Sequence, residues 1–170
     1  MSRPGARRAG LSAAFCLIAA ACLAAGADAK EPGAIDGYAW MGGVRAGTAS
    51  FVYGSTESAE DLAFWLTCSP KTKKTELTVY VDIAGTKVGQ AMPIEIAAGS
   101  AKTVVKGKIA TDEMTGFHFA EAKGLKVKPV VEVFKGKGAA TIRTGALTTL
   151  LPETGRAAAL AEFAKGCALD

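Results

Sequence analysis

The side chains in this sequence best able to do chemistry are four cysteines, Cys16, Cys22, Cys68 and Cys167, and a single histidine, His118. A cysteine or serine nucleophile needs a base within hydrogen-bond reach, and His118 is the one imidazole on offer. No G-x-S-x-G stretch accompanies it. Between Phe117 and Phe119 on an alternating segment it faces away from both rings, and it reads as a surface histidine rather than a catalytic base. With Cys16 and Cys22 set aside in the amino-terminal segment read below as an export signal, two thiols and one distant imidazole fall short of a four-ligand zinc site, and no C-x-x-C spacing marks a redox centre. Glu57, Glu60 and Asp61, and Asp112 with Glu113, sit in polar connecting stretches. They lack the alternating oxygen ligands closed by a glutamate that a calcium loop requires. A paired-carboxylate hydrolase would assemble its acids only in the fold. Lys135-Gly136-Lys137-Gly138 is too short for a phosphate loop and reads as a hairpin turn. No catalytic, cofactor or metal site is legible, and the expectation is a protein that is not an enzyme.

The cysteines gain meaning from the amino terminus. Arg3, Arg7 and Arg8 give a basic start, Leu11 to Ala25 a small apolar run, and Ala27-Asp28-Ala29 an A-x-A cleavage site, the pattern of an export signal over residues 1–29. The apolar run, about fifteen residues, is shorter than the roughly twenty that a membrane-spanning helix needs, which favours a cleaved signal over an anchor. Cleavage would start the chain at Lys30 and remove Cys16 and Cys22. Cys68 and Cys167 would be left in an oxidising periplasmic or secreted setting with one intramolecular pairing open to them; the alternative is two buried, unpaired thiols. A bridge closing a loop of about a hundred residues would stabilise the fold by roughly 4–5 kcal/mol on the chain-entropy account. The same segment takes three arginines and one aspartate from totals of 20 basic and 16 acidic side chains, so the cleaved chain is near neutral. Nucleic-acid binding, which needs many clustered phosphate-neutralising side chains, has no support, nor does simple electrostatic attachment to a membrane.

The elements that would position these residues are mostly strands. Residues 30–36 carry Pro32, Gly33 and two acids and read as a flexible leader, with one β-rich domain over 37–170. Tyr38-Ala39-Trp40 suggests a short strand ending in a turn at Gly42-Gly43, and Thr48 to Tyr53 a second. In Leu62 to Cys68 the alternate residues Leu62, Phe64, Leu66 and Cys68 share one face, so Cys68 points inward and Trp65 outward, the indole being expected to pack rather than bind. Ser69 to Lys74 reads as a solvated turn leading to Glu76–Ile83, with Leu77, Val79, Val81 and Ile83 inward, so that the two segments form an antiparallel hairpin. Met92, Ile94 and Ile96 alternate next, then Val105, Gly107 and Ile109 opposite Lys106 and Lys108. From Thr111 to Gly138 the pattern loses resolution: Pro129 could open a helical turn, but Val130, Val131 and Val133 favour strand. Ala139 to Thr144 reads as the final strand. A closing helix is expected over about 154–166, capped by Thr154, burying Ala157, Leu160, Phe163, Ala164 and Cys167 and leaving Arg156, Glu162 and Lys165 off that face. The fold expected is mainly β, an antiparallel β-sandwich or flattened barrel closed by the C-terminal helix, with Cys68–Cys167 as its staple.

The aromatic strand Phe64-Trp65-Leu66-Thr67-Cys68, together with the terminal Gly155-x-Ala157-Ala158-Ala159-Leu160 followed by Gly166-Cys167, resembles the small exported proteins of Gram-negative bacteria grouped around invasion-associated locus B. The resemblance implies a periplasmic, non-enzymatic accessory protein linked to host interaction or envelope stress, whose partner is another protein or an envelope component. Cys68 with the Leu77–Ile83 strand, and Phe134 to Thr141, are similar to part of the periplasmic C-type lysozyme inhibitors. Thr115-Gly116-Phe117 is the nearest stretch to their Ser-Gly inhibitory loop. Three functional classes remain in play: a binding or envelope accessory protein, an inhibitor of a muralytic enzyme, and a small hydrolase with a carboxylate site.

Overall fold

A computed structural model describes residues 30–169. The export signal read over residues 1–29 lies outside the described residues. Nine strands form one antiparallel sheet: β1 (Tyr38–Arg45), β2 (Thr48–Ser55), β3 (Leu62–Ser69), β4 (Lys74–Val79), β5 (Ala91–Ala98), β6 (Ala101–Thr111), β7 (His118–Lys123), β8 (Ala140–Thr144) and β9 (Leu147–Leu151). Their spatial order is β1-β2-β3-β4-β7-β6-β5-β8-β9, curled into a half-barrel. Two helices stand among the described residues, α1 (Val127–Phe134) and α2 (Arg156–Gly166).

Register explains how the core is built. Trp40, Tyr53, Phe64, Val79, Ala120 and Ile109 stand opposite one another across six neighbouring strands, and all are buried. Because side chains alternate between faces along a strand, this row defines the inner face. Trp40 stacks on Phe51 with ring centroids 4.5 Å apart, and Phe64 and Phe134 meet these rings edge-on. The helices pack on the inner side, α1 against β5 and β6, and α2 against β1, β2 and α1.

Several expectations change. β1 does not stop at Gly42-Gly43 but runs through them, because α2 crosses it there. A Cβ on Gly42 would fall 2.0 Å from the Ala159 carbonyl oxygen, so only glycine lets the helix backbone sit on the strand. β4 ends at Val79, before Val81 and Ile83. Ile83 is nonetheless buried, its N–H donating to the His118 carbonyl. Val130, Val131 and Val133 lie in α1 rather than a strand. Val127, Val130, Val131 and Phe134 fall at helical spacing and are all buried, and that period outweighs β-branched preference. Pro129 sits in the first helical turn, where its missing N–H costs nothing. Ala140–Thr144 is not the last strand, since Gly145-Ala146 turns the chain back into β9.

The closing helix also differs at its start. Its N-cap is Gly155, in the left-handed region at φ 81°, and Thr154 makes no side-chain cap. Glu31 instead ties down the approach to the helix, its carboxylate accepting from the N–H groups of Glu153 and Thr154, which precede the N-cap. Residues 30–36 thus lie against the start of α2 and the end of β9, with the Tyr53 hydroxyl 2.9 Å from the Ile35 N–H. The buried face of α2 carries Arg156, Ala159, Leu160 and Phe163. Ala157 is exposed and Ala164 half-buried.

Candidate interaction face

The row that alternates with the aromatic core points the other way. Met41, Val52, Trp65, Thr78, Glu121 and Lys108 face one another across the same six strands on the outer side of the sheet. Trp65 is 38% exposed and Met41 equally so, with half-buried Val52 between them. One step further along the strands, Tyr80 packs on Phe119 at 5.3 Å between centroids, and Phe117 on Phe119 at 5.7 Å. The Tyr80 N–H donates to the Ala63 carbonyl, which carries β4's alignment with β3 past the end of the ladder. Met41, Val52, Trp65, Tyr80, Phe119 and Phe117 therefore lie on the face that neither helix packs against.

A charged strip borders these rings. Glu121 is buried between Lys108 at 3.2 Å and Lys123 at 3.1 Å, and Lys123 reaches on to Glu76 at 3.3 Å. Burial alone would raise the Glu121 carboxyl above its ordinary value, but the two ammonium groups outweigh that and hold it low. Lys123 is pushed up by its bonds to Glu121 and Glu76 and stays charged. Tyr80 is raised, first by desolvation and then by the Glu76 charge, so its hydroxyl stays neutral. The face thus combines flat apolar rings with fixed charges, a chemistry suited to binding.

The residues singled out in the sequence lie elsewhere. Cys68 on β3 and Cys167 at the end of α2 meet as a disulfide, Cα atoms 5.6 Å apart, on the buried side. His118 is half-buried. The Thr86 hydroxyl donates to the Ile83 carbonyl at 2.6 Å, which leaves it to accept from His118 Nδ1–H at 3.2 Å. Asp61 accepts from the Tyr38 hydroxyl, which pushes that phenol up to about 12. Asp112 accepts from the N–H groups of Met114 and Thr115 and so closes the β6–β7 turn, whose tip residue Met114 is 95% exposed. Among the described residues no three His, Cys, Asp or Glu side chains gather as metal ligands.

Arg156 was not expected where it is found. Only 1% exposed, it spans the two helices, with Nε donating to Phe134 O at 3.1 Å and Nη2 to Gly136 O and Gly138 O. A hollow of about 340 Å³ between α1 and α2 contains this guanidinium, but its donors are committed to backbone carbonyls and serve the fold. Trp40, whose indole N–H donates to Pro152 O at 2.8 Å, is core, and Trp65 is surface. Tyr80 and Phe119 could have been found in the sequence by asking which aromatics fall out of phase with Val79 and Ala120. Among the described residues no helix is long and apolar enough to cross a membrane. No family model, curated protein or solved structure matches this chain.

Proposed function

We propose that this is an exported, periplasmic or secreted binding protein without catalytic activity, of the kind implied by the resemblance to the locus B group. Its working surface is the outer face of β1–β4 and β7. The curled sheet and its two helices act as a flattened barrel closed by α2, a rigid support that leaves this face free. The observation that carries the reading is the placing of Trp65, Tyr80, Phe117 and Phe119 outside the core on the side opposite the helices. A sheet face in solvent is ordinarily polar, whereas aromatic rings grouped beside fixed charges are the composition of a contact surface.

The partner is a protein with an apolar centre and a rim of mixed charge. Lys108 and Lys123 alternate with Glu76 and Glu121 along the border of the rings, and the Asp112 charge also acts on Tyr80, so a partner surface of mixed charge is favoured there. The test compares capture from an envelope extract by the wild type, by Trp65→Ala and Tyr80→Ala, and by Lys71→Ala on the distant β3–β4 turn. One protein species held by the wild type and Lys71→Ala, and lost from both aromatic variants with unchanged circular dichroism, supports the reading. Equal retention by all four, or recovery of a glycan or lipid alone, overturns it. Trp65 already has more than a third of its surface in water, so its truncation should cost stability by no more than about 1–2 kcal/mol.

A further inference from the structure

The sheet parts at one place. β6 is eleven residues long and stays in register with β5 from Ala101 to Lys108, yet it pairs with β7 only from Lys108 to Thr111. At the parting a Cβ on Gly107 would come within 2.7 Å of the Glu121 carbonyl oxygen and 2.9 Å of the Met92 carbonyl oxygen. A glycine there lets both neighbouring backbones close in. Beyond Gly107, β7 leaves the sheet at Lys123. Gly124 N–H donates to Thr75 O, and the Thr75 hydroxyl donates to Leu125 O, which pins the turn leading into α1 onto β4 and away from β6. The first half of β6 is left with a backbone edge that β7 does not cover.

The parting opens a cleft of about 630 Å³ between Thr103–Lys106 and Lys123–Lys126. Three lysines, Lys106, Lys123 and Lys126, are among its lining residues, and among the described residues no Asp or Glu is. Lys123 is shared with Glu121 and Glu76, whereas among the described residues Lys106 and Lys126 have no ion-pair partner. Glu95, opposite Val104 on β5, lines a neighbouring hollow together with Arg143. The cleft is therefore bordered by two lysines whose charges no ion pair compensates. Its remaining wall is apolar, with Val104 54% exposed and Leu125 and Pro129 beside it.

We propose that the cleft between β6 and the β7–α1 turn binds a phosphate monoester, its head held by Lys106, Lys123 and Lys126 and its organic body lying against Val104 and Pro129. A phosphate monoester carries close to two negative charges at neutral pH, which matches the two free ammonium groups. Its three terminal oxygens accept more bonds than a carboxylate can. The site shares Lys123 with the border of the aromatic face but none of its rings, and its binding is read independently of them.

The full chain is titrated calorimetrically with glycerol 3-phosphate and, in parallel, tested for sedimentation with phosphatidylcholine vesicles with and without phosphatidic acid. These two probes carry the same head group, one free in solution and one on a lipid surface. Saturable binding to either, weakened about tenfold or more in the Lys106→Gln/Lys126→Gln double variant and within about twofold of wild type in Lys71→Gln/Lys73→Gln, is the expected result. Whichever probe binds identifies the source. Absence of binding to both overturns the proposal, as does equal weakening by the two lysine pairs, which would mark diffuse attraction to positive charge. Both lysines are exposed and unpaired, so melting temperatures of the variants should match the wild type. Trp65→Ala should retain phosphate binding whatever the fate of the aromatic face.

Discussion

Arg156 shows how a single residue can hide from sequence reasoning. Periodicity places it off the expected apolar stripe, and long cationic side chains are rarely buried. It is buried because the turn after α1 presents the carbonyls of Phe134, Gly136 and Gly138 to one guanidinium. Desolvation lowers its proton affinity, while Glu153 and then Glu31 act in the opposite sense. Arg156→Met keeps the stem but strands those acceptors in the interior. It should destabilise the protein by about 3–4 kcal/mol, read as a lower midpoint in urea, and Arg156→Lys should recover little because an ammonium lacks the planar fork. Cys68 and Trp65 were legible for the opposite reason: strict alternation along β3 settles which way each side chain points. The lysine-lined cleft was not legible, since Lys106 and Lys126 are twenty positions apart and border one hollow only where β7 leaves the sheet.

At the level of elements, the strands with one clean apolar face were readable and the segments serving both faces were not. β5 alternates Met92, Ile94 and Ile96 inward with polar or small residues outward, and it forms as expected. α1 is valine-rich for burial against β5 and β6, so composition argued for strand while spacing argued for helix. β1 contains two glycines that look like a turn until the helix above them is known. Gly42→Ala tests that contact, because the added methyl group would strike the Ala159 backbone, which cannot rotate away as a side chain would. The expected loss is about 2–3 kcal/mol. Gly43→Ala, where a Cβ would meet nothing within 4 Å, should stay near the wild-type melting temperature. Equal losses for the two would mean that strand propensity, not the helix crossing, sets the requirement.

For the whole molecule, the mainly β class and the closing helix followed from patterning, but the single curled sheet did not. Where β7 inserts between β4 and β6 depends on pairings remote in sequence. The Cys68–Cys167 bridge spans 99 residues and ties α2 to β3. Cys167→Ser should lower stability by roughly 4–5 kcal/mol on the chain-entropy account. Intact protein should resist alkylation and show a mass two hydrogens below the dithiol. Two alkylatable thiols with an unchanged melting temperature would assign the docking of α2 to its apolar face alone. Residues early and late in the described chain take part in the same closure: Glu31 bonds to the turn before α2, Trp40 bonds to Pro152, and β1 lies under the last helix. Contacts of such long separation make for slow folding. A chain emerging amino end first would have its opening strand and aromatic residues made long before the helix that covers them. The docking of α2 over β1 and β2 could be completed only once those last residues were free.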